Sequence, residues 1–467
     1  MLSIFASFRV ISRWLTSSLS KRQLLAATLL ALAACREQPA AVTADRTPAF
    51  WIWHRSSALS SAEQTRLDQA GSQRIYRQVG EFGWSDDGWS ARAVCPAAVV
   101  AGSPDTIPVV RLDPGPAVME RADAAASLAK WIRFHFGEAV PDRLQIDHDC
   151  PARLLGRYAE FLSELRAELK LRELSVTALA SWIESPALPR LGKATDELVP
   201  MFYDLSADPP RDIAAGKALP MAGDDGKRWI GRWKSCPAAW RAGLPNFERL
   251  SLFAGDGSLV GHLRDWSPET LAGSPVLVAV PGFAGGAAYR VKEDARYHGT
   301  ALAAGQLLVW RAPDDAALVD LVRSSFDAGA RGIVWFALPG PGLRAVHTPP
   351  HLAALARGEI PAPSLEAMRR DDGSVVLRNK GPGDLAIQPG AELHRLEITA
   401  GRPGAFSAAG PGEFAARQSA LPVNFSKNII LTFTKLDVGS EIATEAGLVA
   451  GRTLHWSVDG AAPLPLP

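Results

Sequence analysis

The segment RLQIDHD, residues 143–149, decides how this chain is expected to fold. Polar and apolar side chains alternate along it, which is the period-two pattern of a β-strand. Gln145, Asp147 and Asp149 therefore share one face of the predicted strand, and the leucine and isoleucine between them face the other way. Amphipathic stretches at 117–136 and 152–171 flank the segment, and a strand between two helices is typical of a parallel α/β sheet.

Seven other short apolar runs repeat this arrangement along the chain, and a third helical stretch covers 315–328. Eight strands with intervening helices over about 300 residues, with no glycine-rich nucleotide-binding turn, predict a TIM (β/α)8-like barrel in preference to a doubly wound sheet. The seven runs are FWIWH from Phe50, RIYRQVG from Arg74, IPVVRL from Ile107, LSVTALASW from Leu174, ELVPMFYD from Glu197, WRAGLP from Trp240 and GIVWFALPG from Gly332.

Two regions depart from the barrel pattern. Between residues 247 and 313 the segments alternate like hairpins, which predicts a β-rich insertion before the last helix and strand. After the prolines near residue 361 the pattern becomes entirely β, which predicts a small C-terminal β-sandwich over 361–467. The barrel itself is expected to occupy 48–360.

The N-terminus has the features of an export signal. Lys21 and Arg22 precede an apolar run at 24–34 that is too short for a comfortable transmembrane helix. The run ends in LAAC, which resembles the lipobox of bacterial lipoproteins, so residues 1–35 are predicted to be a lipoprotein signal with Cys35 lipidated. A plain cleaved signal or a short anchor is the alternative. Residues 36–47 are expected to form a flexible tether, and Arg36 after the cysteine predicts the outer membrane, facing the periplasm.

Composition excludes several classes of protein. The 467 residues carry 50 Lys and Arg against 49 Asp and Glu, so the chain lacks the basic excess of a nucleic-acid-binding protein. Fourteen tryptophans against five tyrosines point to carbohydrate, because sugar rings stack on indoles, although such rings also fill cores. Cys95, Cys150 and Cys236 allow one disulfide of undetermined pairing. No zinc-type spacing is present, so neither a metal nor a cofactor is expected.

Candidate functional residues lie where the barrel strands end. Asp147 and Asp149 are expected to raise each other's tendency to hold a proton, as a general acid requires, unless loop amides or Arg111 neutralise them. The sixth run ends in Tyr203 and Asp204, which join the predicted catalytic set.

Further side chains are candidates for substrate binding. Trp53, Trp182 and Trp335 are predicted sugar platforms, with packing at the barrel mouth as the alternative. Glu81 is expected just after the second strand, where a solvated loop side chain is the alternative.

Three motifs resemble family-18 glycosidases, the chitinases and their relatives. These are the DxD of the fourth strand, MFYD at 201–204 and Trp335 of the eighth strand. In addition, Gly243-Leu244-Pro245 is similar to that family's GLP segment. The resemblance implies a sugar-cleaving barrel. It fails at one position, because Pro151 stands where the family's catalytic glutamate would fall.

A second resemblance covers more of the chain. WIW at 51–53, QIDHD at 145–149, LSVTALASW at 174–182 and VPMFYD at 199–204 are similar to the motifs of the family called domain of unknown function 3142, which comprises exported bacterial proteins. That family implies the architecture and no assigned activity.

Two hypotheses of function follow, ahead of a third in which the C-terminal β-sandwich makes the protein a structural partner of another envelope protein. The first is a cell-envelope glycoside hydrolase in which Asp149 is the general acid, Asp147 tunes it, and Tyr203 and Asp204 position the sugar. The second is a non-catalytic glycan-binding or scaffold lipoprotein, which Pro151 favours. The expected partner in either case is a glycan or peptidoglycan fragment, with the membrane reached through a lipid anchor only.

Overall fold

The computed structural model describes residues 45–467 except 86–87, 95–104, 114, 116–117, 120, 138–139, 265, 339–345 and 451–452. Cys35, the export signal and most of the tether therefore lie outside the described residues. The first eight strands are β1 (Ala49–Ile52), β2 (Arg74–Ser85), β3 (Gly88–Val94), β4 (Asp105–Asp113), β5 (Arg143–Asp147), β6 (Glu173–Leu179), β7 (Glu197–Met201) and β8 (Ala242–Pro245).

An antiparallel sheet of five strands interrupts the α/β pattern after β8, in the order β10-β9-β15-β12-β11, with β13 and β14 as a separate hairpin. These strands are β9 (Arg249–Phe253), β10 (Leu259–Leu263), β11 (Leu277–Val280), β12 (Ala287–Val291), β13 (Ala295–Tyr297), β14 (Thr300–Leu302) and β15 (Leu307–Arg311).

The strand β16 (Ile333–Phe336) closes the barrel by pairing in parallel with β8 on one side and β1 on the other, while β1 also pairs with β2. The eight strands β1, β2, β4 to β8 and β16 thus form a closed parallel barrel, which confirms the predicted TIM-like fold and the β-rich insertion before its last helix and strand. β3 stands outside the barrel as the antiparallel partner of β2.

Helices fill most of the connections between barrel strands, and the long ones bury an apolar stripe against the sheet. In the helix Asp315–Asp327, for example, Leu318, Leu321 and Val322 are fully buried, and the Asp314 side chain caps the first turn by accepting from the Ala317 amide. The helices are α1 (Ser61–Gln69), α2 (Ala124–Phe136), α3 (Leu155–Leu169), α4 (Leu188–Ala194), α5 (Pro210–Ala214), α6 (Asp224–Trp233), α7 (Pro268–Ala272), α8 (Asp315–Asp327) and α9 (Pro349–Ala356).

The C-terminal region is built from β-sheets, as predicted, while the residue boundaries given above stay predictions. Two of its sheets, β17-β18-β24 and β21-β22-β20-β25-β26, share one apolar core, and β19 pairs with β23. The strands are β17 (Leu365–Arg369), β18 (Val375–Asn379), β19 (Leu385–Ala386), β20 (His394–Ala400), β21 (Ala416–Gln418), β22 (Asn428–Phe433), β23 (Lys435–Leu436), β24 (Glu441–Ala443), β25 (Leu454–Val458) and β26 (Leu464–Pro465).

Trp51 crosses the barrel interior and sets its packing. Its indole N–H donates to Gln145 Oε1 at 2.7 Å, and the Gln145 amide donates to Ser175 Oγ at 3.2 Å. A Cβ atom at Gly243 would lie 2.8 Å from the Trp51 ring and 3.0 Å from the carbonyl oxygen of Pro200. The glycine of the GLP segment is therefore needed for the indole to fit.

The N-terminal end of the barrel is closed by a charged network. Buried Glu197 accepts from the Tyr76 hydroxyl at 2.8 Å and from Arg241 Nε at 2.9 Å. Because these groups are paired and buried, this end is structural and the open end of the barrel is the opposite one.

None of the helices formed by the described residues is long and apolar enough to cross a bilayer.

Candidate active site

A cavity of about 480 Å³ opens at the carboxyl ends of the barrel strands. Its wall combines three carboxylates with five aromatic rings, which is the chemistry expected of a site for a polar ring with apolar faces. The carboxylates are Asp147, Asp149 and Asp204, and the aromatic residues are Trp51, Trp53, Tyr203, Trp229 and Phe336.

Asp147 is the buried carboxylate of this cavity. It ends β5 on the interior face, as strand alternation predicts, and accepts from Thr177 Oγ1 at 2.6 Å. Arg111 on the neighbouring strand brings Nη1 to 3.5 Å from Asp147 Oδ2. Burial nevertheless raises the pKa of Asp147 to about 6, against the lowering effects of Thr177 and Arg111 and with a smaller raising effect of Asp149.

Asp149 lies just beyond the strand and is exposed at the cavity mouth. Neither a hydrogen bond nor an ion pair joins its carboxylate to any residue within the described part of the chain, so its oxygens are open to a ligand. Pro151, where the family-18 glutamate would stand, begins a 3-10 turn at Ala152–Leu154. Asp149 is thus the carboxylate on this loop that can meet a substrate.

Tyr203 and Asp204 follow β7, as expected, and both line the cavity. Burial and the charges of the nearby aspartates raise the pKa of Tyr203 well above its ordinary value of 10, so the phenol stays protonated and can donate a hydrogen bond. Asp204 forms a two-pronged ion pair with Arg249, one prong being 2.6 Å from Nη2 to Oδ2. This carboxylate is neutralised in place, which suits it to positioning and not to proton transfer.

The structure corrects the prediction for Trp335. This ring is fully buried among the side chains that pack between the barrel and its helices, because alternation along β16 points it outward. The next residue, Phe336, points inward and lines the cavity, with its ring 5.5 Å from that of Tyr203 and nearly parallel to it. Phe336 is the aromatic residue of this strand at the site, and Trp53 lines the cavity as predicted.

Trp182 is also placed differently from the prediction. It is fully buried in the 3-10 helix Ala180–Glu184, and its indole N–H donates to the carbonyl oxygen of Cys150 at 3.0 Å. The ring therefore cannot serve as a sugar platform. Its hydrogen bond instead anchors the loop that carries Asp149.

Glu81 lies within β2 and not after it, because β2 continues to Ser85 and pairs there with β3. Its carboxylate is 3.8 Å from Arg92 Nη1, and Glu81 is not among the described residues that line the cavity. It acts on the site at longer range, since its charge contributes to the raised pKa of Asp147.

A second cavity of about 330 Å³ continues from the first one toward the insertion. The two share Trp53, Arg111, Asp204 and Phe336, so they form one cleft with two halves. Sequence reasoning missed the second half, because much of its wall comes from β9, β10 and α7 of the insertion, and the local pattern of these elements does not show that they face the barrel mouth.

The described residues contain one group with the composition of a metal site, away from the cleft. Atoms of Asp315, His347 and His351 lie within 4.8 Å of one another, with the two Nε2 atoms 2.8 and 3.2 Å from the Asp315 carboxylate. His351 Nδ1, however, accepts a hydrogen bond from the Asp384 amide at 2.9 Å, so the neutral ring carries its proton on Nε2. A protonated Nε2 cannot ligate a metal, and the group fits a hydrogen-bonded contact between α9 and the C-terminal sheets.

We therefore expect metal chelation to leave stability unchanged. A melting curve of the full chain in EDTA should coincide with one in added Zn²⁺, because binding to the folded state alone would raise the melting temperature. A higher melting temperature in added Zn²⁺ that is lost in His351→Gln would show that the His351 ring exchanges its hydrogen bond with Asp384 for a metal.

The cysteines of the described residues are free thiols. Cys150 is buried and Cys236 is partly buried, and burial raises the pKa of both. Cys95 lies outside the described residues. Cys150 and Cys236 are therefore not a disulfide pair.

The chain matches the family described as "Domain of unknown function (DUF3142)" over residues 102–261, which confirms the resemblance predicted from the QIDHD, LSVTALASW and VPMFYD motifs. No curated protein matches the chain in sequence.

Several solved structures are similar to this chain at low identity. A family-18 N-acetylglucosaminidase from Paenibacillus barengoltzii is 12% identical with a TM-score of 0.45, covering 67% of this chain and 100% of its own. The spore cortex-lytic enzyme SleL of Bacillus megaterium QM B1551 is 15% identical with a TM-score of 0.43, covering 67% of this chain and 73% of its own. Chitinase ChiW from Paenibacillus sp. str. FPU-7 is 10% identical with a TM-score of 0.44, covering 90% of this chain and 56% of its own.

Proposed function

We propose that this protein is a cell-envelope enzyme that binds a glycan in the cleft at the barrel mouth and hydrolyses a glycosidic bond there. The observation that carries the proposal is the pairing of exposed Asp149 with buried Asp147 at the end of β5. Glycoside hydrolysis requires two carboxyl groups in different surroundings, because one must be protonated at a pH at which the other is ionised.

Within this proposal the two carboxyl groups have separate tasks. Asp149, the open carboxylate at the mouth, contacts the glycosidic oxygen and donates to it the proton of the pair as the C–O bond breaks, and the water that adds to the anomeric carbon returns a proton to the pair. Asp147 keeps a proton up to about pH 6 behind it, so the pair as a unit carries one proton under mildly acidic conditions. Tyr203 donates a hydrogen bond to the sugar, and Asp204, held by Arg249, positions it.

The aromatic rings supply the surfaces on which sugar faces pack. Tyr203, Trp229 and Phe336 are each half-buried and line the half of the cleft that holds Asp149. Their exposed faces suit pyranose rings, which present apolar C–H groups on one side and hydroxyls at the edge.

A second candidate function is glycan binding without catalysis. Pro151 supports it, because the loop offers no glutamate at the position of the family-18 acid. The same cleft would then hold a glycan through its aromatic rings alone.

A screen of chito-oligosaccharides, uronate oligosaccharides and peptidoglycan fragments on the purified full chain tests both candidates. Release of new reducing ends supports hydrolysis, and binding without release supports the second function. If no glycan binds or is cleaved, both are wrong.

We also propose that the chain is anchored by a lipid on Cys35 and faces the periplasm from the outer membrane, which rests on the LAAC segment and on Arg36. Cys35→Ser is expected to abolish acylation and release the protein from membranes. Mass spectrometry of the membrane-extracted protein measures this, and a mature wild-type chain without an acyl mass would contradict it.

A further inference from the structure

The half of the cleft that faces the insertion has a different charge from the half that holds Asp149. Three guanidinium groups line it, those of Arg111, Arg249 and Arg264, against the carboxylates of Asp204 and Glu248. The cleft as a whole is therefore polarised, with its acidic residues gathered toward β5 and its basic residues gathered toward the insertion.

Most of these charged groups already have a partner among the described residues. Arg249 holds Asp204 in the two-pronged ion pair, and Arg111 lies 3.5 Å from Asp147. Glu248 accepts from the indole N–H of Trp310 at 2.8 Å.

Arg264 differs from the other arginines of the cleft. It follows β10 directly, is exposed, and forms no hydrogen bond or ion pair with a residue that the structure describes. Its guanidinium therefore offers a cleft-lining cation to a ligand.

The pKa values of two histidines are lowered by burial and by the arginines of this half of the cleft. Burial lowers the pKa of His54, and the charges of Arg264 and Arg111 lower it further, whereas the charge of Glu81 raises it. Burial lowers the pKa of His262, and the charges of Arg249 and Arg311 lower it further. The charges of Asp204 and Asp208 raise it. Burial first, and nearby cations second, disfavour the charged form of both rings, so they add hydrogen-bonding capacity and leave the arginines as the positive charges that a ligand meets.

Phe247 joins the two halves. Its half-buried ring packs 5.7 Å from Tyr203 and 5.9 Å from Phe336, and it lines the half that contains Arg264. A glycan that packs against Tyr203 and Phe336 therefore extends over Phe247 toward the arginines.

We propose, resting on the proposed function, that this half of the cleft is a subsite for a sugar that carries a carboxylate, and that the substrate is an acidic glycan. The carboxylate lies at Arg264, with Arg111 contributing to the positive field, while the neighbouring bond lies at Asp149. Guanidinium groups bind carboxylates through paired, charge-assisted hydrogen bonds, whereas a neutral sugar leaves Arg264 without a counter-ion. The carboxylate can belong to a muramic-acid residue of peptidoglycan or to a uronic acid.

Calorimetric titration of the full chain with three matched ligands tests the subsite. They are the neutral disaccharide of N-acetylglucosamine, the disaccharide of N-acetylglucosamine and N-acetylmuramic acid, and a short uronate oligosaccharide. At least one acidic ligand is expected to bind about tenfold more tightly than the neutral one, with the preference weakening as salt is raised. The ligand that gains the advantage identifies the source of the carboxylate.

Arg264→Gln is expected to remove this advantage, so that the acidic and the neutral ligands bind with similar affinity. Arg296→Gln is the matched control, because Arg296 is an exposed arginine of the same insertion, on β13, and is not among the described residues that line the cleft. Equal binding of neutral and acidic ligands, or an advantage that survives Arg264→Gln, overturns the subsite while the proposed function stands. Absence of binding by all three ligands overturns both.

Discussion

Asp149→Asn is expected to lower turnover of the glycan substrate by about 100-fold or more while the fold stays intact. General acid–base catalysis contributes on this scale, and asparagine keeps the shape of the side chain without its titratable proton. Because Asp149 is exposed and makes no hydrogen bond to a residue in the described ranges, its replacement removes no internal contact. The melting temperature should therefore change by no more than about 2 °C.

Asp113→Asn provides the matched control for this experiment. Asp113 ends β4 at the same edge of the barrel, is exposed, and pairs with Arg92 outside the cleft lining that the structure describes. Turnover should be retained in this variant. Equal turnover of Asp149→Asn and the wild type would remove Asp149 from the mechanism, and a large loss of stability would assign it a structural role.

Strand alternation was sufficient to place the centre of the site. It put Gln145 and Asp147 inside the barrel from the RLQIDHD pattern alone, and both lie there. It also separates Trp335 from Phe336, since adjacent residues of a strand face opposite sides. The family resemblance drew attention to the tryptophan, whereas the period of the strand selects the phenylalanine.

The remaining parts of the site depend on contacts between residues far apart in the chain. Arg249 neutralises Asp204 only because the insertion folds back over the barrel mouth. The burial of Trp182 depends on a 3-10 turn directly after β6, where no alternation persists to show which way the ring points. Local sequence patterns predict individual helices and strands. The second half of the cleft and its charge arise from several of these elements together, so neither can be predicted from one of them.

Asp147→Asn is expected to stabilise the protein at neutral pH, although Asp147 lies at the centre of the site. Burial raises its pKa from 3.8 to about 6 in the folded state, so the folded chain holds a proton that the unfolded chain releases. The stabilising effect of that proton is complete below about pH 4 and is lost as the pH rises through about 6. A shift of about two pKa units corresponds to about 3 kcal/mol of unfolding free energy.

Asparagine removes this cost of charge burial and can still accept from Thr177 Oγ1. The ion pair that it loses is weak, because the Arg111 side chain is 41% exposed and its charge is screened by water. The variant should therefore be more stable than the wild type above pH 6, with the difference shrinking toward pH 4.

Urea unfolding of the wild type and of Asp147→Asn at pH 4, 5, 6 and 7.5 measures this dependence. Thr177→Val tests the same balance from the other side. It removes the hydrogen bond that lowers the pKa of Asp147, so it should raise that pKa further and destabilise the protein most at neutral pH. If Asp147→Asn instead destabilises the fold at pH 7.5, the ion pair with Arg111 outweighs the burial of the charge, and Asp147 is ionised throughout the working range of the site.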